Sequence, residues 1–323
     1  MQLRRRLSPA RLAVVILAAA LPALLLGGGP HESAAQPKPE PRLQLRTGDH
    51  VCIIGNTLAD RMQHDGWLEA YLQSRFPRHQ LVFRNLGFSG DEVAGFTDRP
   101  DPNYRLRSKS FGTADQWLAG VAPVPEPNRL TTRKGVRDNR LELTNTRADV
   151  VFAFFGYNES FAGEEGLPKF RRDLERFIRH ALAQKYNGKS APRLVLFSPI
   201  AHEDHHSPNL PDGRENNRRL AMYTKAMAEV ARANGVVFVD LFHPSQKLYA
   251  QAREPLTING VHLNEKGNER IAQVIDKALF PQPEVKRDPQ ALAKLRQAVV
   301  DKNFCWFNRY RVVDGFNVYG GRA

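Results

Sequence analysis

"VCIIGNTLADRMQ", residues 51–63, opens as an apolar run, breaks at Gly55 and continues as a polar, helix-compatible stretch. A run that is nearly continuous rather than alternating is what a strand buried on both faces requires. The turn from such a strand into a helix is one place where a chain presents a nucleophilic hydroxyl. Here the residues after Gly55 are Asn56 and Thr57, with no serine. Thr57 is either a group that attacks a substrate or a cap for the helix that follows.

The same kind of run recurs. "HVCIIG" (50–55), "LVFRNLG" (81–87), "ADVVFAFFG" (148–156), "RLVLFSP" (193–199) and "GVVFVDLF" (235–242) are short and rich in Val, Ile, Leu and Phe. Helical patterns lie between or after them at 65–75, 167–185, 215–233 and 265–279. This alternation predicts an α/β fold, a three-layer α/β/α sandwich around a mostly parallel five-stranded sheet. Ligands of such sheets sit at the carboxyl ends of the strands. Residues 96–147 interrupt the pattern with many Arg, Pro, Asn and Gly and one short helix candidate at 113–120. A segment that long without regular structure asks for a functional explanation.

The chain ends differ from its middle. Arg4, Arg5, Arg6 and Arg11 precede "LAVVILAAALPALLLGG" (12–28), and Ser33-Ala34-Ala35 follow as a small-residue cleavage site. Residues 1–35 therefore read as a removed secretory signal peptide rather than an anchor, since Pro22 interrupts the apolar run. Residues 36–47 are a Pro-rich tether, 48–282 the globular domain, and 283–323 a helix at 289–302 with an aromatic, basic tail. That tail holds Phe304, Trp306, Phe307, Tyr310, Phe316 and Tyr319, which either form a sugar-stacking platform or pack back onto the domain. The expected location is periplasmic or extracellular, and no later stretch is apolar enough for a stable membrane span.

The formal net charge is +13, and losing the four Arg and one Glu of 1–35 leaves +10. Outside the cytoplasm such a surface suits an anionic polysaccharide or cell-wall surface, or is simply solvated; nucleic acid is not an expected partner. Two cysteines, Cys52 and Cys305, make no disulfide framework and are expected as free thiols.

Four loops at or beyond strand ends carry polar signatures: "GNT" (55–57), "NLGFSGDE" (85–92), "GYNES" (156–160) and "NGVHLNEKG" (259–267). Their order resembles the SGNH (GDSL-like) hydrolase family, whose blocks are Gly-Asp-Ser, Asn-x-Gly-x-x-Gly, Gly-x-Asn-Asp and Asp-x-x-His. The resemblance covers about 50–280 and implies a flavodoxin-like sheet, no cofactor or metal, and covalent hydrolysis of esters. It puts Asn85, Gly87 and Gly90 in the second block, with the Gly90 amide as an oxyanion donor. Asn158 would be the other donor and His262 the base. The departures are Thr57 for the nucleophilic Ser, Asn56 for the neighbouring Asp, Glu159 for an Asp, and Asn259 for the acid that faces the base.

Chemically, two amides aimed at one point stabilise a developing oxyanion. Thr57 supplies a hydroxyl, though its methyl stiffens the side chain and crowds attack. Asn259 accepts a hydrogen bond from the imidazole but cannot stabilise imidazolium, and Asp91 or Glu159 is available to compensate. Ser89 and Ser198 lack the turn after the first strand and are expected as loop and core-edge residues. In "AHEDHH" (201–206), His202, Asp204, His205 and His206 read as a polar rim rather than a metal site, with His202 and Glu203 placed to touch substrate. The expected function is an exported esterase that removes an acyl group from a small-molecule or carbohydrate ester. The alternative is an impaired SGNH-like domain that binds a glycan or partner protein through the same cleft.

Overall fold

The computed structural model describes residues 41–87, 89–93 and 147–310. The signal peptide, most of the tether, nearly all of 96–147 with its helix candidate, and the tail beyond 310 lie outside the described residues.

Five strands form one sheet: β1 His50–Gly55, β2 Val82–Asn85, β3 Val150–Phe154, β4 Arg193–Phe197 and β5 Val237–Val239. Their order is β2-β1-β3-β4-β5 and every pairing is parallel. The helices are α1 Thr57–Asp65, α2 Trp67–Arg75, α3 Gly163–Ala183, α4 Arg214–Ala233, α5 Phe242–Gln251, α6 Glu265–Leu279 and α7 Pro289–Tyr310. Among these described elements the chain is the three-layer α/β/α sandwich that the apolar runs predict.

Period-two alternation along buried strands divides the core between the faces. Cys52, Ile54, Val151, Ala153, Leu194 and Leu196 pack with Phe170, Leu174 and Ile178 of α3 and Tyr223 and Met227 of α4. Val51, Ile53, Phe83, Phe152, Phe154 and Phe197 pack on the other face with Met62, Leu72, Ile271 and Ile275 from α1, α2 and α6. Both faces are dry, which is why the strand sequences are continuous rather than alternating. Phe154 and Phe197 stack with ring centroids 4.3 Å apart.

Several expectations shift. The 65–75 pattern is α2, which starts at Trp67; Gly66, in the left-handed conformation at φ 69°, separates it from α1. The "GVVFVDLF" run is strand only over 237–239; from Phe242 it belongs to α5, a helix the strand-like reading hid. Helix α7 runs on to Tyr310, so part of the aromatic tail is helical and packs on the domain. Trp306 donates its Nε1–H to the Asn85 carbonyl at 2.7 Å and takes Arg84 over its ring. Phe307 meets His64 edge-on at 5.1 Å. Cys52 is buried, Cys305 is exposed, and neither forms a disulfide.

The parallel order places the switch point between β1 and β3, where connections leave in opposite directions, and a site is expected there. Gly55 ends β1 at φ 122°, and a Cβ on it would lie 2.0 Å from the Phe154 carbonyl oxygen. Only glycine lets the two strands part so closely.

Candidate active site

Thr57 is the first residue of α1, and Asn56 is its cap. The Asn56 Oδ1 accepts from the Leu58 N–H at 3.1 Å. The alternative in which Thr57 merely caps the helix is therefore corrected: Asn56 holds that position, which frees the threonine hydroxyl. The hydroxyl instead accepts a hydrogen bond from the Gly90 amide at 3.1 Å.

The loop that brings Gly90 there is fastened to α1. Asn85 donates from Nδ2 to the Ala59 carbonyl at 2.7 Å, and its Oδ1 accepts the Gly87 N–H at 2.8 Å. A Cβ on Gly87 would sit 2.6 Å from the Asp60 nitrogen, so the loop lies directly on the helix backbone. Ser89 donates from both N and Oγ to Asp60 Oδ2, at 3.2 and 2.7 Å. Ser89 thus helps anchor the loop, and Asp91 lies half-buried two residues on.

Asn158 follows β3 and precedes the short turn Glu159–Ala162, whose start its side chain does not cap. Glu159 is bound elsewhere: one carboxylate oxygen accepts the Gly156 N–H at 2.8 Å and the other the Val93 N–H at 2.9 Å. That carboxylate ties the loops after β2 and β3 together.

His262 and Asn259 lie in the loop before α6. The Asn259 Oδ1 accepts from the backbone amides of His262 at 3.0 Å and Val261 at 3.3 Å. Two N–H donors identify that atom as the oxygen, so the contact of 3.1 Å to His262 Nδ1 makes Nδ1 the protonated nitrogen. Nε2 keeps its lone pair. Burial pushes the imidazole below its ordinary value, and the positive charge of Arg61 pushes the same way. The lowered value favours the neutral imidazole, the form that can accept a proton.

The loop that carries His262 is itself clamped. Glu203 accepts from Leu256 N at 3.0 Å, Thr257 N at 2.7 Å and Thr257 Oγ1 at 2.6 Å. Thr257 Oγ1 in turn accepts from Gly260 N at 2.9 Å and lies 2.7 Å from His205 Nε2. His202 is buried, its ring nitrogen Nδ1 accepts from Asn216 at 3.1 Å, and its ring packs on Gly260. His202 and Glu203, expected to touch substrate, are buried and are not among the residues lining the cavity beside Thr57 and His262; only Asp204 and His206 of this stretch are exposed. Among the described residues no group of three or more His, Cys, Asp or Glu could hold a metal ion.

Replacing Glu203 by Ala strands three buried donors, each costing about 1–3 kcal/mol. The expected loss of stability is about 3 kcal/mol or more, read as a lower urea midpoint with unchanged slope.

A cavity of about 320 Å³ opens among these elements. Thr57, Asn158 and His262 line it with Asn56, Arg61 and Asn268 among the polar residues. Leu58, Phe154, Tyr157, Ile200 and Leu263 give it apolar walls. Thr57, Asn158 and His262 thus share one wall system, and Gly90 reaches it through its bond to Thr57. Ser198 also lines it, but its hydroxyl is held by the amides of Leu241 and Phe242. Arg61 and Asn268 were not anticipated. The available signal was spacing, since Arg61 lies four residues after Thr57, on the same helix face.

Fold and loops together define an α/β/α hydrolase of the SGNH type. The chain matches the GDSL-like lipase/acylhydrolase family over residues 55–270 and belongs to it, a family of ester-acting hydrolases. No curated protein sequence matches the chain. Among solved structures, the acetylxylan esterase Axe2 of Geobacillus stearothermophilus aligns at 14% identity with a TM-score of 0.50, covering 76% of this chain and 100% of that one. A gut microbial diltiazem-metabolizing enzyme aligns at 16% identity and TM-score 0.49 over 73% of this chain, which spans 48% of that enzyme's length.

Proposed function

We propose that this chain is an exported esterase that releases a short acyl group from a carbohydrate or small-molecule ester. The observation that carries the reading is the Asn259 oxygen on His262 Nδ1, which leaves Nε2 as acceptor in a cavity shared with the Thr57 hydroxyl. Thr57 Oγ attacks the carbonyl carbon while His262 Nε2 takes its proton. The carbonyl electron pair moves onto oxygen, where the Gly90 N–H and the Asn158 amide stabilise it. Collapse breaks the bond to the alcohol oxygen, which His262 protonates. Water, deprotonated by the same nitrogen, then cleaves the acyl-threonine and frees the acid.

The carbohydrate reading is supported by the Axe2 likeness, and the short acyl group by the cavity of about 320 Å³. Export rests on the signal-peptide pattern of 1–35, and an anionic wall surface remains a fitting partner for the basic chain. Among the described residues no helix is long and apolar enough to cross a membrane. The second reading, a glycan- or protein-binding domain without turnover, draws on the paired departures at Thr57 and Asn259.

The experiment is turnover of short acyl esters by the mature protein, with mass spectrometry of a rapidly quenched reaction. Acyl adduct on the peptide holding Thr57 supports catalysis. Glycan binding with neither turnover nor adduct favours the binding domain.

Because the base must be neutral and its value is lowered, kcat/KM should rise with pH to a plateau. The midpoint should fall below the ordinary histidine value of about 6.5. A midpoint at or above that value would remove His262 from the role.

A further inference from the structure

Helix α1 contributes a second polar group to the cavity one turn beyond Thr57. Arg61 lines the wall, and its Nε is buried without a hydrogen-bond partner. Asn268 lines the same cavity, is 3% exposed, and its Oδ1 is likewise buried without a partner. The Asn268 amide nitrogen is committed to Asp65 Oδ2 at 2.5 Å, so the orphaned oxygen cannot be traded for it by a flip. Asp65 lies one turn beyond Arg61 and feels its charge, yet no described carboxylate comes within ion-pair distance of the guanidinium. A buried cationic donor and a buried acceptor left open in one cavity wall are costly unless a ligand completes them.

We propose that Arg61 is a specificity residue that binds a carboxylate on the substrate, so the preferred ester is an anionic one, with Asn268 accepting from a neighbouring hydroxyl. This rests on the esterase reading above. Among the described lining residues Arg61 brings the one guanidinium, which matches a singly charged carboxylate that it can bind with two parallel hydrogen bonds. A phosphate dianion would leave charge uncompensated between apolar walls and turn an oxygen toward the Asn268 oxygen. Side chains four apart on a helix have Cβ atoms about 5–6 Å apart, so the carboxylate sits within one small molecule's reach of the attacked carbonyl.

The charge has a second consequence. Arg61 disfavours the imidazolium of His262. A substrate carboxylate on Arg61 cancels that field as the imidazolium forms, supplying some of the negative charge that Asn259 lacks. Anionic esters should therefore gain in kcat as well as in KM.

The test compares 4-acetoxybenzoate with its methyl ester, and mono-4-nitrophenyl succinate with 4-nitrophenyl butyrate, so that the charge lies on the alcohol or the acyl side. The ratio of kcat/KM, anionic over neutral, is read in the parent, in Arg61→Gln and in Arg61→Lys. Dividing by the Arg61→Gln ratio removes intrinsic reactivity. The expected result is a ratio about 10-fold or more higher in the parent for at least one pair, largely kept in Arg61→Lys. Equal ratios in parent and Arg61→Gln for both pairs overturn the proposal while leaving the esterase reading intact. Should no ester turn over, the esterase reading fails separately, and calorimetric binding of 4-hydroxybenzoate against its methyl ester decides. Binding of the acid that is lost in Arg61→Gln supports the carboxylate site, and no preference for the acid overturns it.

Discussion

Thr57→Ala should reduce ester turnover by at least about 10³-fold, and His262→Ala should do the same. Groups that act as one catalytic unit are far from additive, so the double variant should be scarcely worse than either single one. The residual rate would come from the Gly90 and Asn158 amides and from binding. The change at Thr57 is otherwise slight, because the fold loses only the acceptor for the Gly90 amide, worth about 1 kcal/mol. A thermal midpoint within a few degrees of the parent would show that the loss is chemical rather than structural. Turnover that survives both single changes would sink the proposed site.

The second large effect runs the other way. In a serine protease, replacing the acid of the triad by Asn costs about 10⁴ in kcat. This chain carries that Asn as its own residue, so Asn259→Asp should restore part of the loss, by about 10- to 10³-fold near neutral pH. The geometry is ready for it: the oxygen that accepts from Nδ1 and from two backbone amides stays in place, and Asn259 is only half-buried. The new charge favours imidazolium, so the folded value of His262 rises and the pH midpoint of kcat/KM moves up with it. The gain should therefore be largest on the alkaline side of the new midpoint. A variant no faster than the parent, with an unmoved midpoint, would mean that the imidazole does not feel this position.

Much of this was legible in the sequence, and the exceptions have physical causes. All five strands are visible because β1, β3 and β4 are buried almost throughout and β2 and β5 at the sheet ends still carry short apolar runs. The order of the four loops gave the site because strand ends converge whatever the intervening helices do. Helix α5 was hidden because Phe242 continues the apolar run of β5 before "HPSQKLYAQ" turns polar. His202 and Glu203 looked like rim residues because a string of ionisable groups normally faces water. Only the tertiary structure reveals that Thr257 and Leu256 bring buried donors to meet Glu203. Arg61 was missed for a related reason: an arginine on an amphipathic helix reads as solvated until its partners can be looked for.

The bond between the Gly90 amide and the Thr57 hydroxyl has a consequence for timing. Under the proposed mechanism one N–H serves two oxygens in succession. At rest it holds a lone pair of the nucleophile, which leaves the hydroxyl hydrogen as the end free to turn toward a base. Once the hydroxyl oxygen spends its electrons on the carbonyl carbon, the oxygen of the substrate becomes the better acceptor and the amide changes allegiance. In that mechanism the donor rests on the nucleophile and passes to the substrate oxygen only as attack proceeds.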